Sequence, residues 1–278
     1  MVLNSYSKIN LTLKINSKQK KGLHNIQSFF CLINLKDIIK IKKTNGKKDK
    51  VNFKGPFAKH VNKNNNTIKS LLVFLRKLKL ISSYYSIIVE KKIPVFAGLG
   101  GGTSNAVSVM KHVLNEKPKK KIFNMIEKKI GSDFKLFFYK QGFLKKLDSI
   151  KSQEKRHKYY FVLVKPPIKC STREIYSKVK NYSEKDFYNK IKIKRREDFL
   201  NFLSNNRNDL QKVVEKKYPN IKIILDNISF QKGCYFSRMT GSGSVCYGLF
   251  IKQNYAKKAF NNLKNKYPKL WVSLAKTV

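Results

Sequence analysis

Residues 94–110 read PVFAGLGGGTSNAVSVM, with glycine at 98, 100, 101 and 102, hydroxyls at Thr103 and Ser104, and an apolar-patterned run after them. Glycine lacks a Cβ and reaches backbone conformations closed to other residues, so such a cluster points to main chain brought close to something that side chains would obstruct. Successive bare N–H groups opening a helix form a site for an anion, because the unpaired donors and the helix dipole both favour negative charge there. The chemistry this suggests for Gly98, Leu99, Gly100, Gly101, Gly102, Thr103 and Ser104 is the cradling of a phosphate. The two hydroxyls can cap the helix or touch a phosphate or its magnesium. Two familiar phosphate motifs do not apply. A P-loop requires a lysine directly after the last glycine, and the dinucleotide fingerprint requires a third glycine where Thr103 stands. Phosphoryl transfer also asks for a base near the attacking hydroxyl. Asp133, in GSDFKLFF, is one of only 16 acidic residues and stands at the edge of an apolar run, the position expected of such a base or of a turn cap.

The elements that must position these residues can be read from periodicity. INLTLKI alternates as a strand within residues 1–15, residues 28–43 form a second strand region, and 47–55 a hairpin-like continuation of it. From Thr67 a helix is expected, since Ile68, Leu71, Leu72 and Leu75 share one face. A strand over 84–93 leads through Pro94 into the glycine loop, and a helix follows over Ser104 to Leu114. A short basic helix at 119–129 precedes GSDFKLFF, KSQEKRHK at 151–158 reads as a boundary, and a strand follows at 159–165. SRMTGSGSVCYGLF, 237–250, reads as strand, glycine turn and strand. Strands and helices interleave on both sides of the boundary, which suggests an α+β fold in two lobes, 1–152 and 153–278.

Composition limits the classes. No apolar run approaches the roughly 20 residues that span a bilayer, and the polar-broken N-terminus is a poor signal peptide. Cys31, Cys170, Cys234 and Cys246 are scattered without a C-x-x-C pair, so a cytoplasmic protein with reduced thiols is expected. The 61 Lys and Arg against 16 Asp and Glu give a formal charge of +45. Such charge attracts phosphate backbones. Here it is spread along the whole chain and accompanied by abundant Asn, Ile, Phe and Tyr, which fits a compositional bias and makes nucleic acid an unexpected partner.

Five pieces, in order from residue 5 to residue 250, resemble motifs of the GHMP kinases, the superfamily of galactokinase, homoserine kinase, mevalonate kinase and phosphomevalonate kinase. PVFAGLGGGTSNAVSVM is similar to their ATP-binding motif. SYSKINLTLKI, GLHNIQSFF, GSDFKLFF and RMTGSGSVCYGLF resemble the opening, substrate, acidic and C-terminal glycine motifs of the branch that phosphorylates a cytidyl diphosphate of methylerythritol in non-mevalonate isoprenoid synthesis. A sister kinase of the homoserine or mevalonate type, and a basic nucleic-acid-binding protein on a kinase-derived fold, stand as the alternatives.

The resemblance implies a two-lobed GHMP kinase fold, with an N-terminal lobe of the ribosomal-protein-S5-domain-2-like type and a ferredoxin-like C-terminal lobe. It implies ATP with Mg²⁺, the ion held mainly by phosphates and water, a small-molecule substrate, no membrane, and a monomer or homodimer. Asp133 is the implied catalytic base and Lys8 the ammonium paired with it, stabilising alkoxide charge as it develops. Asn66 and Lys91 are carried over to the ATP site. Asn10, His24, Thr172, Tyr176, Thr240, Gly241, Ser242 and Gly243 are carried over to the substrate, with neutral His24 reading the cytosine edge and Tyr176 stacking on the base. The chain departs from the pattern at Leu23, where an aromatic is usual, and at Lys135, where proline is usual.

Overall fold

The computed structural model describes residues 1–18, 24–62, 64–114, 116, 118–146, 149–152, 157–184 and 195–278. Leu23 and much of the 151–158 boundary lie outside them. In chain order the elements are β1 (Val2–Asn10), β2 (Lys14–Lys18), β3 (His24–Thr44), β4 (Lys50–Lys54), α1 (Thr67–Lys77), β5 (Tyr84–Glu90), α2 (Gly101–Val113), α3 (Lys120–Ile130), β6 (Gln141–Lys146), β7 (Ser149–Ser152) and β8 (Tyr160–Lys165). They continue with α4 (Thr172–Ser177), α5 (Arg196–Ser204), α6 (Asp209–Lys217), α7 (Asn220–Ser229), β9 (Cys234–Met239), β10 (Cys246–Phe250), α8 (Gln253–Lys266) and β11 (Trp271–Lys276).

The chain divides into two compact units. The first comprises Met1–Lys8, Leu35–Val95 and Gly100–Phe138. In it the C-terminal part of β3 pairs antiparallel with β5, from Ile38 opposite Glu90 to Thr44 opposite Tyr84. Ile39, Ile41, Ile87 and Val89 are buried while Lys40, Lys42 and Ile88 face out, the period-2 alternation of a sheet with one covered face. The helix α1 buries Ile68, Leu71, Leu72 and Leu75, the stripe its spacing predicts. It packs on α2 and α3, which add Ala106, Val107, Val109, Met110, Phe123, Ile126 and Ile130 to the core. One expectation is corrected here. The 47–55 segment is not a hairpin continuation of β3; β4 pairs parallel with β5, Val51 opposite Ile87, because the chain crosses through α1 before returning to the sheet.

The second unit comprises Ile9–Asn34, Phe96–Leu99 and Tyr139–Val278. Its four-stranded antiparallel sheet runs in the order β11-β8-β10-β9. β9 and β10 form the expected strand, glycine turn and strand, with Met239 opposite Cys246. The helices α7 and α8 cover this sheet with Ile224, Ile228, Ala256, Ala259 and Leu263. In the same unit β2 pairs with the start of β3, and Ser28–Cys31 of β3 pairs with β6. Arg238 is buried and its guanidinium donates to the carbonyls of Leu11, Leu203 and Asn206, binding β9 to two loops.

Candidate active site

In the first unit the glycine loop opens α2. Gly100 is the residue before the helix and has φ 69°, a left-handed conformation in which other residues are strained. A Cβ here would come within 2.7 Å of the Phe137 ring and 3.4 Å of Lys8 Cε, so bare backbone lies directly on these two side chains. Lys8 is buried and its Nζ is 3.3 Å from Asp133 Oδ2, whose side chain is 32% exposed. The turn carrying Asp133 is tight, with Phe134 N donating to Gly131 O and Leu136 N to Asp133 O, both at 3.0 Å. Phe134, Leu136 and Phe137 bury beneath it, and Lys111 Nζ donates to Phe137 O at 2.9 Å. A Cβ on Gly131 would lie 3.8 Å from Thr103 Oγ1, so the first turn of α2 stands beside the acidic turn. The burial of the end of β1, where Lys8 lies, and the apolar anchoring of residues 134–137 thus bring Lys8, Gly100, Thr103 and Asp133 together. That places an ammonium, a carboxylate and a helix N-terminus side by side.

Other residues carried over to the ATP site have structural partners. Ser104 is buried, its amide donates to Gly100 O, and its hydroxyl donates to Tyr6 O at 2.6 Å. Ser5 Oγ lies 2.8 Å from that hydroxyl and 2.7 Å from Asn105 Oδ1, so Ser104 docks α2 on β1. The side chain of Asn66 caps α1 by accepting from Lys69 N. Lys91 is almost wholly buried with Nζ 2.5 Å from Asp37 Oδ2, and Asp37 Oδ1 accepts from the amides of Lys92 and Ile93 at 2.7 and 2.8 Å. Burial depresses the Lys91 ammonium below its ordinary range and the Asp37 charge opposes that shift. A Cβ on Gly101 would be 3.0 Å from Lys91 Nζ, so this ion pair underlies the first turn of α2. Lys135, in the place of the usual proline, pairs with Glu127 at 2.8 Å.

In the second unit Gly98 has φ 72°, and a Cβ there would come 2.1 Å from Thr240 O. Only glycine permits this approach of the loop to the turn after β9. We expect Gly98→Ala to cost about 2–4 kcal/mol through left-handed strain and overpacking, read by chemical denaturation. Gly46→Ala, whose Cβ would meet only Thr44 Oγ1 at an ordinary 3.5 Å, is the control and should be near neutral. Thr240 Oγ1 accepts from Asn10 N at 3.0 Å, and Asn10 Nδ2 donates to Ser28 Oγ at 2.8 Å. Asn208 Nδ2 donates to Met239 O and Gly241 O, holding the Thr240–Gly243 turn from below. Thr172 and Ser242 share a hydrogen bond of 2.9 Å. His24 packs against Tyr176 with ring centroids 5.1 Å apart. Burial and the Lys18 charge push its pKa down, so the ring is neutral at pH 7 and keeps one donor and one acceptor.

Among the described residues no three His, Cys, Asp or Glu side chains gather as a metal site, and no described helix is long and apolar enough to cross a membrane. The four cysteines are free thiols. Sequence reading missed Asp37, Asn208 and Arg238. Asp37 is the one acid in the lysine-rich run NLKDIIKIKK, a signal that was available, whereas nothing local marks the other two.

The family described as GHMP kinases N terminal domain matches residues 65–132, and GHMP kinases C terminal matches residues 189–269. A 4-diphosphocytidyl-2-C-methyl-D-erythritol kinase of Pelagibacter ubique is 38% identical, covering 99% of this chain and 98% of its own. The protein of that name from Wolbachia pipientis is 32% identical over 96% and 94%. A solved 4-(cytidine 5'-diphospho)-2C-methyl-D-erythritol kinase superposes with a TM-score of 0.75 at 20% identity, covering 99% of both chains. A homoserine kinase from Cytophaga hutchinsonii also reaches 0.75, at 12% identity over 100% and 94%. At these identities the two structures share the fold, and they do not separate one acceptor from another.

Proposed function

The chain belongs to the 4-diphosphocytidyl-2-C-methyl-D-erythritol kinase family of GHMP kinases, and on that premise we propose the reaction and the residues that carry it out. It transfers the γ-phosphoryl group of ATP to the tertiary 2-hydroxyl of 4-diphosphocytidyl-2-C-methyl-D-erythritol, a step of the non-mevalonate isoprenoid route. Asp133 accepts the hydroxyl proton, the freed oxygen attacks the γ-phosphorus, and ADP departs. Lys8 stabilises the developing alkoxide from its fixed position 3.3 Å from that carboxylate. The 98–104 loop holds the triphosphate through the backbone amides that α2 leaves unbonded at its N-terminus. Ser104 contributes by docking that helix, Lys91 by supporting its first turn, and Asn66 by capping α1. Bound Mg²⁺ would neutralise phosphate charge. The described residues offer it no carboxylate cluster, so phosphate and water oxygens are its expected ligands and no step is assigned to it.

On the acceptor side, His24 reads the cytosine edge and Tyr176 stacks on the ring. Asn10, Thr172 and the Thr240–Gly243 turn hold the rest of the substrate. The division into a 1–152 ATP-binding domain and a 153–278 C-terminal domain belongs to the same reading, supported by the family matches within each. So do a cytoplasmic location, which the free thiols favour, and action as a monomer or homodimer. The observation that carries the reading is the Lys8–Asp133 pair lying against Gly100. A substrate panel tests it. Phosphorylation of the cytidyl compound should exceed that of homoserine and mevalonate by at least about 100-fold in kcat/KM, because sites that hydrogen-bond a substrate reject analogues lacking those groups. Equal rates, or ATP turnover competed by RNA, would remove it.

A further inference from the structure

Tyr182 has no part in the contacts described so far and is 45% exposed. Its segment is nevertheless tied down. Ser183 N donates to Ile15 O at 2.7 Å and Ser183 Oγ to Asp209 Oδ2 at 2.7 Å. Asn16 Nδ2 donates to Ser183 O and Glu184 O at 3.2 and 2.7 Å. These bonds hold residues 183–184 along β2, and the last residue of β2, Lys18, is paired with His24 at the start of β3. The consequence is a tyrosine ring in solvent on fixed backbone, with its centroid 6.4 Å from that of His24 and the ring planes 30° apart.

Tyr176 approaches the same histidine from α4 at 5.1 Å with planes 39° apart. His24 is therefore flanked by two tyrosines, both within the 4.5–7 Å range over which aromatic rings interact. His24 itself is buried, so the most exposed of the three rings is Tyr182. A neutral imidazole offers one donor and one acceptor, while phenol rings offer π-faces. That combination recognises a planar heteroaromatic base, its edge by hydrogen bonds and its face by stacking. Residue 23, immediately before His24, is leucine and has no ring to stack.

Resting on the acceptor class proposed above, we infer that Tyr182 is a specificity-determining residue that stacks on the pyrimidine ring of the cytidyl diphosphate, beside His24 and Tyr176. The hydrogen bonds at Ser183 and Glu184, the next two residues, hold the ring's segment in place before substrate arrives, which limits the ordering cost of binding. Tyr182→Leu keeps apolar bulk and removes the π-face, and Tyr182→Phe keeps the face and removes only the hydroxyl.

The test uses the full chain and two readouts, steady-state kinetics with the cytidyl acceptor and calorimetric titration with cytidine 5'-diphosphate. Tyr182→Leu should raise the acceptor KM and weaken cytidine 5'-diphosphate binding by about 10-fold, the scale of one base–aromatic stack. The KM for ATP and the melting temperature should stay at wild-type values, and Tyr182→Phe should remain within about twofold. If Tyr182→Leu matches wild type in both readouts, the inference is overturned. It is also overturned if the loss comes with an equal rise in the KM for ATP and a lower melting temperature, which would mark Tyr182 as structural. Failure of the wild type to phosphorylate the cytidyl compound is a separate result that removes the proposed function itself, and it is visible before any variant is made.

Discussion

Replacing Asp133 by Asn should lower kcat by about 10²–10⁴, which corresponds to about 3–5 kcal/mol of transition-state stabilisation. The amide keeps the shape and much of the hydrogen bonding of the carboxylate but cannot take up the hydroxyl proton. The turn itself rests on Phe134, Leu136 and Phe137, so the fold should be kept, and the melting temperature should fall much less than in Asp37→Asn because the Asp133 side chain is partly exposed and water reaches the pair. KM values for ATP and acceptor should move by only a few fold, since the loss is confined to the reacting step. Lys8→Met is expected to cost a comparable factor. The Asp133→Asn and Lys8→Met double variant should be little worse than either single one, because the 3.3 Å pair acts as a unit. If Asp133 served only to cap its turn, the pattern would invert, with a lower melting temperature and kcat reduced less than tenfold.

The second large effect concerns stability. Asp37 is fully buried and accepts from Lys91 Nζ and from the amides of Lys92 and Ile93. Asp37→Asn leaves a buried ammonium without its counter-charge, and breaking such a pair costs about 3–5 kcal/mol. At roughly 2–4 °C per kcal/mol for a chain of this size, the melting temperature should fall by about 10 °C. Removing both charges, in Asp37→Asn with Lys91→Met, should recover much of that loss, since the penalty arises from the unpaired ion and not from the missing attraction. Calorimetric melting of the two variants checks this; a double variant no better than the single would show that the pair contributes geometry that neutral residues cannot supply. Because Lys91 lies under Gly101, both variants should also weaken ATP binding through the first turn of α2.

How far the sequence foretold these sites depends on the range of the interactions involved. The helix face of α1 was legible because Ile68, Leu71, Leu72 and Leu75 carry their own period, and all four are buried. The glycine loop was legible because left-handed φ at Gly98 and Gly100 and the close approach to Thr240 and Phe137 exclude other residues. α2 nevertheless starts at Gly101, three residues before the expected Ser104, since the loop's glycines join the helix once its first carbonyl, Gly100 O, is engaged by Ser104 N. Pairings across long separations were not legible. The parallel partnership of β4 with β5, the Lys91–Asp37 pair and the grip of Asn208 on the 240–243 turn are all tertiary choices that no local pattern encodes. Lys91 is carried to the ATP site by the resemblance alone, and its pairing with Asp37, 54 residues earlier in the chain, is seen only in the fold. Leu23, the departure from the family pattern, lies outside the described residues.

The central claim is that the carboxylate of Asp133 and the amides of the 98–104 loop together move a phosphoryl group onto an alcohol. Phosphorus NMR of the wild-type reaction with ATP and 4-diphosphocytidyl-2-C-methyl-D-erythritol tests it most directly. The account predicts one new phosphomonoester resonance on the tertiary carbon for each ADP formed, with both signals suppressed together by Asp133→Asn. ADP appearing with inorganic phosphate and no new ester, or an ester formed undiminished by the Asp133→Asn variant, would contradict it.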